Sequence, residues 1–528
     1  KVLSNKVYNS GNYGMLLEST YNLIAKDNII SGSFSHNMYY ATSFNGTLVN
    51  NTLMDNQLDS SFWFFRSFNS SAINNTVINS AGVGIEIGNG VNGYNEIIGN
   101  TILNSSSRGI SAVSDDHFNL TGNQINDSGN GGIYLSGTDY VVVEGNVLYN
   151  NSNNGIAIPS SSVYVTLKNN HITFSNVDGF RTDNSDHLML INNTARFNGQ
   201  DGFQISQGSS NVTLIDNIAG NNNDEGIQII DSNQNVLIGN NASSNGDNGV
   251  YLLRSRDNVV NNSFIWNSQR GIHVLDSNAT RIDSNIVLDS ALTGIFVEGQ
   301  NMMARDNLMI DNYVEGGIFG IAIAGSPLET GLAFNNSVVG GVVNGSLSAH
   351  VFFGNGGVND TLLDNITFVH SPGIDDISSS FGFNETVYFK DLIVEEHSFF
   401  DIRAVFIDSR YGEIRFLEPV DAIGTNLSDD VKFERNLAFV DSVGNPGLNE
   451  SANVSLPRCI YDLDLDGWID QDDLDIFTPY WLVSCGDPAY SACVDFNSDC
   501  GVFVDDLAGL VQNLNKSCGD PKYYLSAC

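Results

Sequence analysis

The stretch GIYLSGTDYVVVEGNVLYNNSNNG, Gly132–Gly155, decides the reading of this chain. It opens on a glycine followed by alternating apolar residues (Ile133, Leu135), runs through a second apolar segment (Val141 to Val143), and reaches Asn146 two places before Leu148. A third short run follows, and the next glycine, Gly155, starts the pattern again. Working outward, Asn146 belongs to a column of asparagines: Asn5, Asn28, Asn51, Asn75, Asn100, Asn123, Asn170, Asn193, Asn217, Asn240, Asn262, Asn285 and Asn307, at steps of 22 to 25 residues. Gly84, Gly109, Gly132, Gly155, Gly179, Gly202, Gly226, Gly249, Gly271 and Gly294 form a parallel column. Two columns at one period mark a repeat architecture.

Each repeat has strand chemistry. Every second residue after the glycine is apolar, as in Gly226-Ile-Gln-Ile and Gly271-Ile-His-Val, the alternation of a half-buried strand. Three short strands in one repeat, separated by Gly, Asn, Asp and Ser, fit neither a helical hairpin nor a leucine-rich repeat. They predict an all-β right-handed parallel β-helix over residues 1–320. Fourteen windings about 4.8 Å apart would make a rod of roughly 65 Å. Stacked asparagines should hydrogen-bond along the axis as amide ladders do, and the glycines should supply a backbone angle that the other corner needs.

The 528 residues leave room for two to four domains. Sixty acids against 22 bases give a formal net charge of -38, while charged residues make up only 16% of the chain. Such a field disfavours nucleic acid, anionic membranes and acidic polysaccharides and favours cations. No apolar run reaches the ~18 residues of a membrane span. All six cysteines (Cys459, Cys485, Cys493, Cys500, Cys518, Cys528) lie in the last seventy residues, which points to disulfides and an oxidising, extracellular, cell-surface location. Asn-x-Ser/Thr sequons point the same way; the glycosylation candidates are Asn45, Asn69, Asn104, Asn119, Asn126, Asn150, Asn211, Asn241, Asn278, Asn344, Asn384, Asn426, Asn449 and Asn453. Others (Asn50, Asn74, Asn192, Asn261) stand beside an inward asparagine and should turn outward.

Asn5 is already a ladder position, so the first winding should expose an open sheet edge that either missing residues or a neighbouring copy covers. The period breaks over 321–456. Asn336 and Asn365 fit windings lengthened to about 29 residues. Val387–Val394, Ala404–Asp408, Glu413–Leu417 and Leu437–Val440 read as antiparallel strands of a cap or small β-sandwich. The segment Leu448–Leu456 resembles those that follow the β-helix in archaeal surface proteins.

Residues 457–528 carry a different chemistry. Asp462, Asp464, Asp466, Asp470 and Asp473 place oxygens at positions 1, 3, 5, 9 and 12 of a loop with Gly467 at position 6. Calcium takes six to eight hard oxygens around such a turn, and Trp468 would add its carbonyl. Asp495, Asn497, Asp499, Gly501 (by its carbonyl) and Asp506 repeat the pattern 33 residues later. Two such loops with Asp at the last position resemble a dockerin, a disulfide-rich α module. The resemblance implies two calcium ions as cofactors and a cohesin-like protein partner. Cys500 and Phe503 depart from that family's second loop, and Pro479 should interrupt the first helix. The repeated Cys485…Cys493 and Cys518…Cys528 segments point to two local disulfides, leaving Cys459 for Cys500, among fifteen arithmetically allowed pairings.

The rod resembles the pectate-lyase-like β-helix superfamily of sugar-active and sugar-binding proteins, most closely its long-repeat surface members. The resemblance raises an enzymatic alternative, in which hydrolases use paired carboxylates and lyases a basic residue near calcium. Candidates are Asp115, Asp116 and His117, then Asp183 and His187. Asp178, Asp201 and Glu225 should stack at one corner, as a solvated acidic turn or, more sharply, around a bound cation. The histidines, including His171 and His273, read as dispersed surface or turn residues, and Phe62–Phe65 as a packed strand rather than a sugar platform. The preferred expectation is a non-catalytic, glycosylated surface rod that assembles head-to-tail with copies of itself into a filament or surface layer. Its alternatives are an adhesin or polysaccharide-binding protein anchored through a cohesin, and a polysaccharide hydrolase or lyase.

Overall fold

A computed structural model describes residues 1–369 apart from 89–92, 326–331, 355–357 and 360. Beyond them it describes the strand segments Asp375–Ser379, Thr386–Lys390, Leu392–Glu395, Ile402–Arg403, Asp408–Tyr411, Glu413–Phe416, Ala438–Val440, Trp468–Ile469 and Lys516–Ser517. Every element among the described residues is a strand or a turn, with no helix. The chain divides into two compact units, Lys1–Ser255 and Arg256–Cys528.

The first unit is a parallel β-solenoid. Each turn contributes one strand to each of three stacks, and equivalent strands pair in register. Val142, Val143 and Glu144 pair with Thr166, Leu167 and Lys168 in the first stack. Val147, Leu148 and Tyr149 pair with His171, Ile172 and Thr173 in the second. In the third, Phe180 to Asp183 pair with Phe203 to Ser206. The alternation read from the sequence sets the faces: Val143, Leu167 and Leu190 of the first stack, Leu148 and Ile172 of the second and Phe180 and Phe203 of the third are all buried. Their neighbours in sequence point outward, as period-two geometry requires.

The asparagine column forms the expected ladder at the corner before the second stack. Asn146 Nδ2 donates to Asn170 Oδ1 at 2.9 Å and to the Leu120 carbonyl at 2.9 Å, while its backbone N–H donates to the same Asn170 oxygen at 3.0 Å. The Asn146 side chain thus satisfies two main-chain groups of the preceding turn, the Leu120 carbonyl and the Asn123 N–H, and links to the side chain of the next turn. A second amide ladder, Asn198–Asn222–Asn245, runs at another corner with Nδ2 to Oδ1 distances of 2.9 and 3.0 Å.

The glycine column does a different job from the one its residue type predicts. None of Gly109, Gly132, Gly155 or Gly179 has a positive φ. A Cβ at Gly132 would sit 2.3 Å from Leu148 Cδ2 and 2.6 Å from the Gly155 carbonyl, so these glycines are required by lack of space. The left-handed corners are instead held by Asn50, Asn74, Asn169 and Asn192, and by Gly99 and Gly122, residue types that tolerate that region.

The second unit repeats the parallel arrangement. Arg281 to Asp283 pair with Leu308 to Ile310, and Ile286 to Leu288 with Tyr313 to Glu315. Two members of the predicted column are misplaced. Asn262 takes the left-handed corner, and Ser263 fills the ladder position, its N–H donating to Asn285 Oδ1 at 2.9 Å. Asn285 continues to Asn312, not Asn307. Asn307 belongs to another corner, between Thr280 and Asn336, where the 29-residue spacing matches the expected lengthened winding. The strands read as antiparallel at Val387–Val394 and Glu413–Leu417 are seen as Thr386–Lys390, Leu392–Glu395 and Glu413–Phe416, which pair in parallel with strands of neighbouring turns. Backbone pairing of Trp468–Ile469 with Lys516–Ser517 is antiparallel. The loops expected to bind calcium, the six cysteines and Asn384, Asn426, Asn449 and Asn453 otherwise lie outside the described residues.

Candidate functional site

The site lies on the third stack of the first unit and at the corner that leads into it. The residue before each column glycine is held by the backbone, since Gly155, Gly179, Gly202 and Gly226 each donate to the carbonyl of that residue in the next turn at 2.9–3.0 Å. This places Asn154, Asp178, Asp201, Glu225 and Asn248 in one file. Asp178 N–H donates to Asn154 Oδ1 at 3.1 Å, Asp201 N–H to Asp178 Oδ1 at 3.2 Å, and Glu225 N–H to Asp201 Oδ1 at 3.0 Å. Asn248 Nδ2 closes the file on Glu225 Oε1 at 3.2 Å.

The solvated acidic turn expected for Asp178, Asp201 and Glu225 is not what forms. The three are 0%, 2% and 4% exposed, because the tight glycine corner draws them against the next turn. Burial raises the Asp178 carboxyl to about 6, against the counter-effect of the Asp201 N–H and of Arg181, whose Nη1 lies 3.7 Å away. Burial also raises Asp201 strongly, and Glu225 adds to the shift as a neighbouring charge and hydrogen-bond partner. Glu225 is raised by burial too, with Asp201 acting as a donor that lowers it. Burial and the neighbouring carboxyl both favour the protonated form of Asp201. Gln204 Nε2 donates to Asp201 Oδ2 at 3.0 Å and to Gln228 Oε1 at 2.8 Å. Asp224, which is exposed, brings a third carboxylate within 4.8 Å of ligand oxygens on Asp201 and Glu225.

Beside this file opens a cleft of about 290 Å³, lined by Arg108, Asn130, Tyr134, Asn153, Asn154, Arg181 and Asp183 among others. The Arg108 guanidinium lies 3.2 Å from the centre of the Tyr134 ring. Arg181 is fixed by Asp183, with Nε 2.8 Å from Oδ2, and Asp183 also accepts the Ser206 hydroxyl. Asn153 Nδ2 donates to Asn130 Oδ1 at 3.1 Å. The cleft is thus floored by an aromatic ring and walled by amides and guanidinium groups.

Of the candidate residues, only Asp183 joins this cleft. Asp115 is a separate buried carboxyl at the corner beyond the strand, raised to about 7 by burial. His117 and His187 sit in a surface stack of rings with Tyr94, Tyr140 and Tyr164, at centroid distances of 4.8 to 5.2 Å. His36, His273 and His350 are buried, contrary to the surface role expected. Phe62 and Phe64 pack inward as expected, whereas Trp63 and Phe65 face outward beside Tyr39. Among the sequons, Asn45, Asn69, Asn104, Asn119, Asn150 and Asn211 are exposed, and Asn126, Asn241, Asn278 and Asn344 half-buried. Arg108 and Tyr134 were not singled out from the sequence. Their register was there to be read: Arg108 directly precedes Gly109, and Tyr134 is the outward residue after Gly132.

Strand stacks, amide ladders and a tight glycine corner define a right-handed β-helix protein, and residues 108–265 match the profile of the right handed beta helix region. Residues 1–117 and 207–359, just over half the sequence, match the profile described as periplasmic copper-binding protein (NosD), and the chain belongs to that family. No curated protein matches it. Among solved structures, it is similar to a periplasmic alginate epimerase AlgG mutant at 15% identity and a TM-score of 0.43, covering 57% of this chain and 76% of that one. It is also similar to the Azotobacter vinelandii mannuronan C-5 epimerase AlgE4 A-module at 12% identity and a TM-score of 0.37, covering 66% and 90%. Pectate lyase Pel9A follows at 14% identity and a TM-score of 0.28, covering 61% and 72%. Among the described residues no helix is long and apolar enough to cross a membrane.

Proposed function

We propose that this chain is a periplasmic or extracellular saccharide-binding β-helix that seats a neutral polysaccharide in the cleft beside Tyr134. The observation that carries the reading is the Arg108 guanidinium 3.2 Å from the Tyr134 ring centre, next to paired amides. With the guanidinium covering one face of the ring, the apolar face of a sugar would pack against the other, while planar amides and the guanidinium groups hydrogen-bond its hydroxyls, each holding its geometry at little entropic cost. The local charges are balanced by Asp178 and Asp183 within a chain of net charge -38, which favours neutral over uronate polymers. Binding is preferred to cleavage because Asp178, Asp201 and Glu225 are buried and offer no surface to a polymer. Affinity electrophoresis against neutral and acidic polysaccharides tests this. A neutral polymer should retard the protein, and Tyr134→Ala should abolish the retardation. Equal mobility of the two proteins in every gel would refute it.

The family name mentions copper. The group of potential ligands among the described residues is Asp201, Asp224 and Glu225, all oxygen donors, whereas copper selects imidazole and sulfur. These residues do not fit copper, and no copper chemistry is assigned to them. A structural role is favoured by the asparagine ladder, whose turn-to-turn bonds suit a stiff element of a filament or surface layer. In that role the 457–528 loops would add calcium-dependent docking to a cohesin-like partner or to another copy, a reading that rests on the spacing of Asp462 to Asp473 and Asp495 to Asp506. Electron microscopy with and without chelator tests it, and monomers under both conditions would end it.

A further inference from the structure

We propose that Asp201, Asp224 and Glu225, completed by Asn248, form a site for one hard divalent cation of calcium size. The inference is independent of saccharide binding. Three carboxylates supply ligand oxygens that all lie within 4.8 Å of one another. Calcium–oxygen distances of about 2.3–2.6 Å put opposite ligands roughly 5 Å apart, whereas magnesium at about 2.0–2.1 Å puts them about 4.2 Å apart. A separation of up to 4.8 Å admits either ion; three carboxylates with a side-chain amide favour calcium, because magnesium keeps several waters and takes one or two carboxylates.

A second observation points to a ligand rather than to a mere acidic cluster. Asn248 is 2% exposed, and its Oδ1 has no hydrogen-bond partner although its Nδ2 lies 3.2 Å from Glu225 Oε1. Glu225 Oε2 is likewise buried and without a partner. Two buried acceptors on two residues that touch through Asn248 Nδ2 and Glu225 Oε1, neither acceptor with a donor, leave an unmet need that a cation meets directly. Asp224, on the exposed side, supplies an entry. Asn154 shows that the same file accepts an amide that bonds the next turn, so the backbone does not require carboxylates here. Four protein groups and two or more waters complete a calcium sphere.

Equilibrium dialysis of the full chain against calcium tests the site, because any calcium held by residues 457–528 is the same in every variant. Wild-type protein should hold one calcium more than Asp201→Asn/Glu225→Gln, with the fold of each checked by far-UV circular dichroism. Should the double variant misfold, Asp224→Asn, changed at an exposed position, should weaken that one equivalent at least tenfold. Equal magnesium should not displace it. The same number of calcium ions in wild type and the folded double variant, or an unaltered affinity in Asp224→Asn, would overturn the proposal.

Discussion

Two files of polar side chains climb the first unit at two of its corners, and they behave in opposite ways. In the asparagine file each amide is both donor and acceptor, so Asn100, Asn123 and Asn146 satisfy one another and the backbone of adjacent turns. In the acidic file Asp178, Asp201 and Glu225 occupy an equally tight stack without donors of their own, so Asp178 and Asp201 each take a backbone N–H, Gln204 and Asn248 must donate from outside, and Asp178 Oδ2 and Glu225 Oε2 are left with no hydrogen bond. The first file is a fastener. The second costs stability, because buried groups without donors are expensive, and its chemistry must come from somewhere other than the fold's needs.

The largest test of this contrast breaks the fastener. Asn123→Ala removes four hydrogen bonds, those from the Asn100 backbone and side-chain amides and those to the Ile97 carbonyl and the Asn146 oxygen, and takes from the Asn100 N–H its acceptor. At about 1 kcal/mol for each lost bond and more for each orphan, the loss should be about 4 kcal/mol, read as a lower urea midpoint. Next in size is a carboxyl outside either file. Asp115 has a folded value of about 7 against an ordinary 3.8, so the folded state binds its proton more tightly. Its contribution to stability is complete below pH 3.8 and is lost as pH rises through about 7, on the order of 4 kcal/mol. Urea midpoints across that window should fall more steeply in wild type than in Asp115→Asn. Smaller still is Gly132→Ala, whose Cβ meets the Gly155 carbonyl at 2.6 Å. Overpacking of this kind should cost about 2 kcal/mol in the same assay.

Much of the scaffold was legible because period and alternation are properties of single residues. The asparagine file from Asn5 to Asn240 reads straight off its spacing. It fails at Asn262 and Asn307, where neighbouring corners also carry asparagine and a step of one or five residues looks the same in a list. The glycine file was legible as a position and not as a cause, since φ and crowding both select glycine and only coordinates separate them. The acidic file was visible as a column, but burial was not, because it depends on how closely the next turn approaches. Arg108 and Tyr134 lie 26 residues apart and meet only through the stacking register.

The central claim is that two corners of one solenoid treat amides and carboxylates oppositely. The direct measurement is a reciprocal exchange, Asn146→Asp and Asp201→Asn, with unfolding midpoints recorded at pH 8 in chelator. The account predicts a loss of about 3 kcal/mol for Asn146→Asp, where a carboxylate oxygen would face the Asn170 oxygen, and a gain in stability for Asp201→Asn. Losses of similar size in both variants would contradict it.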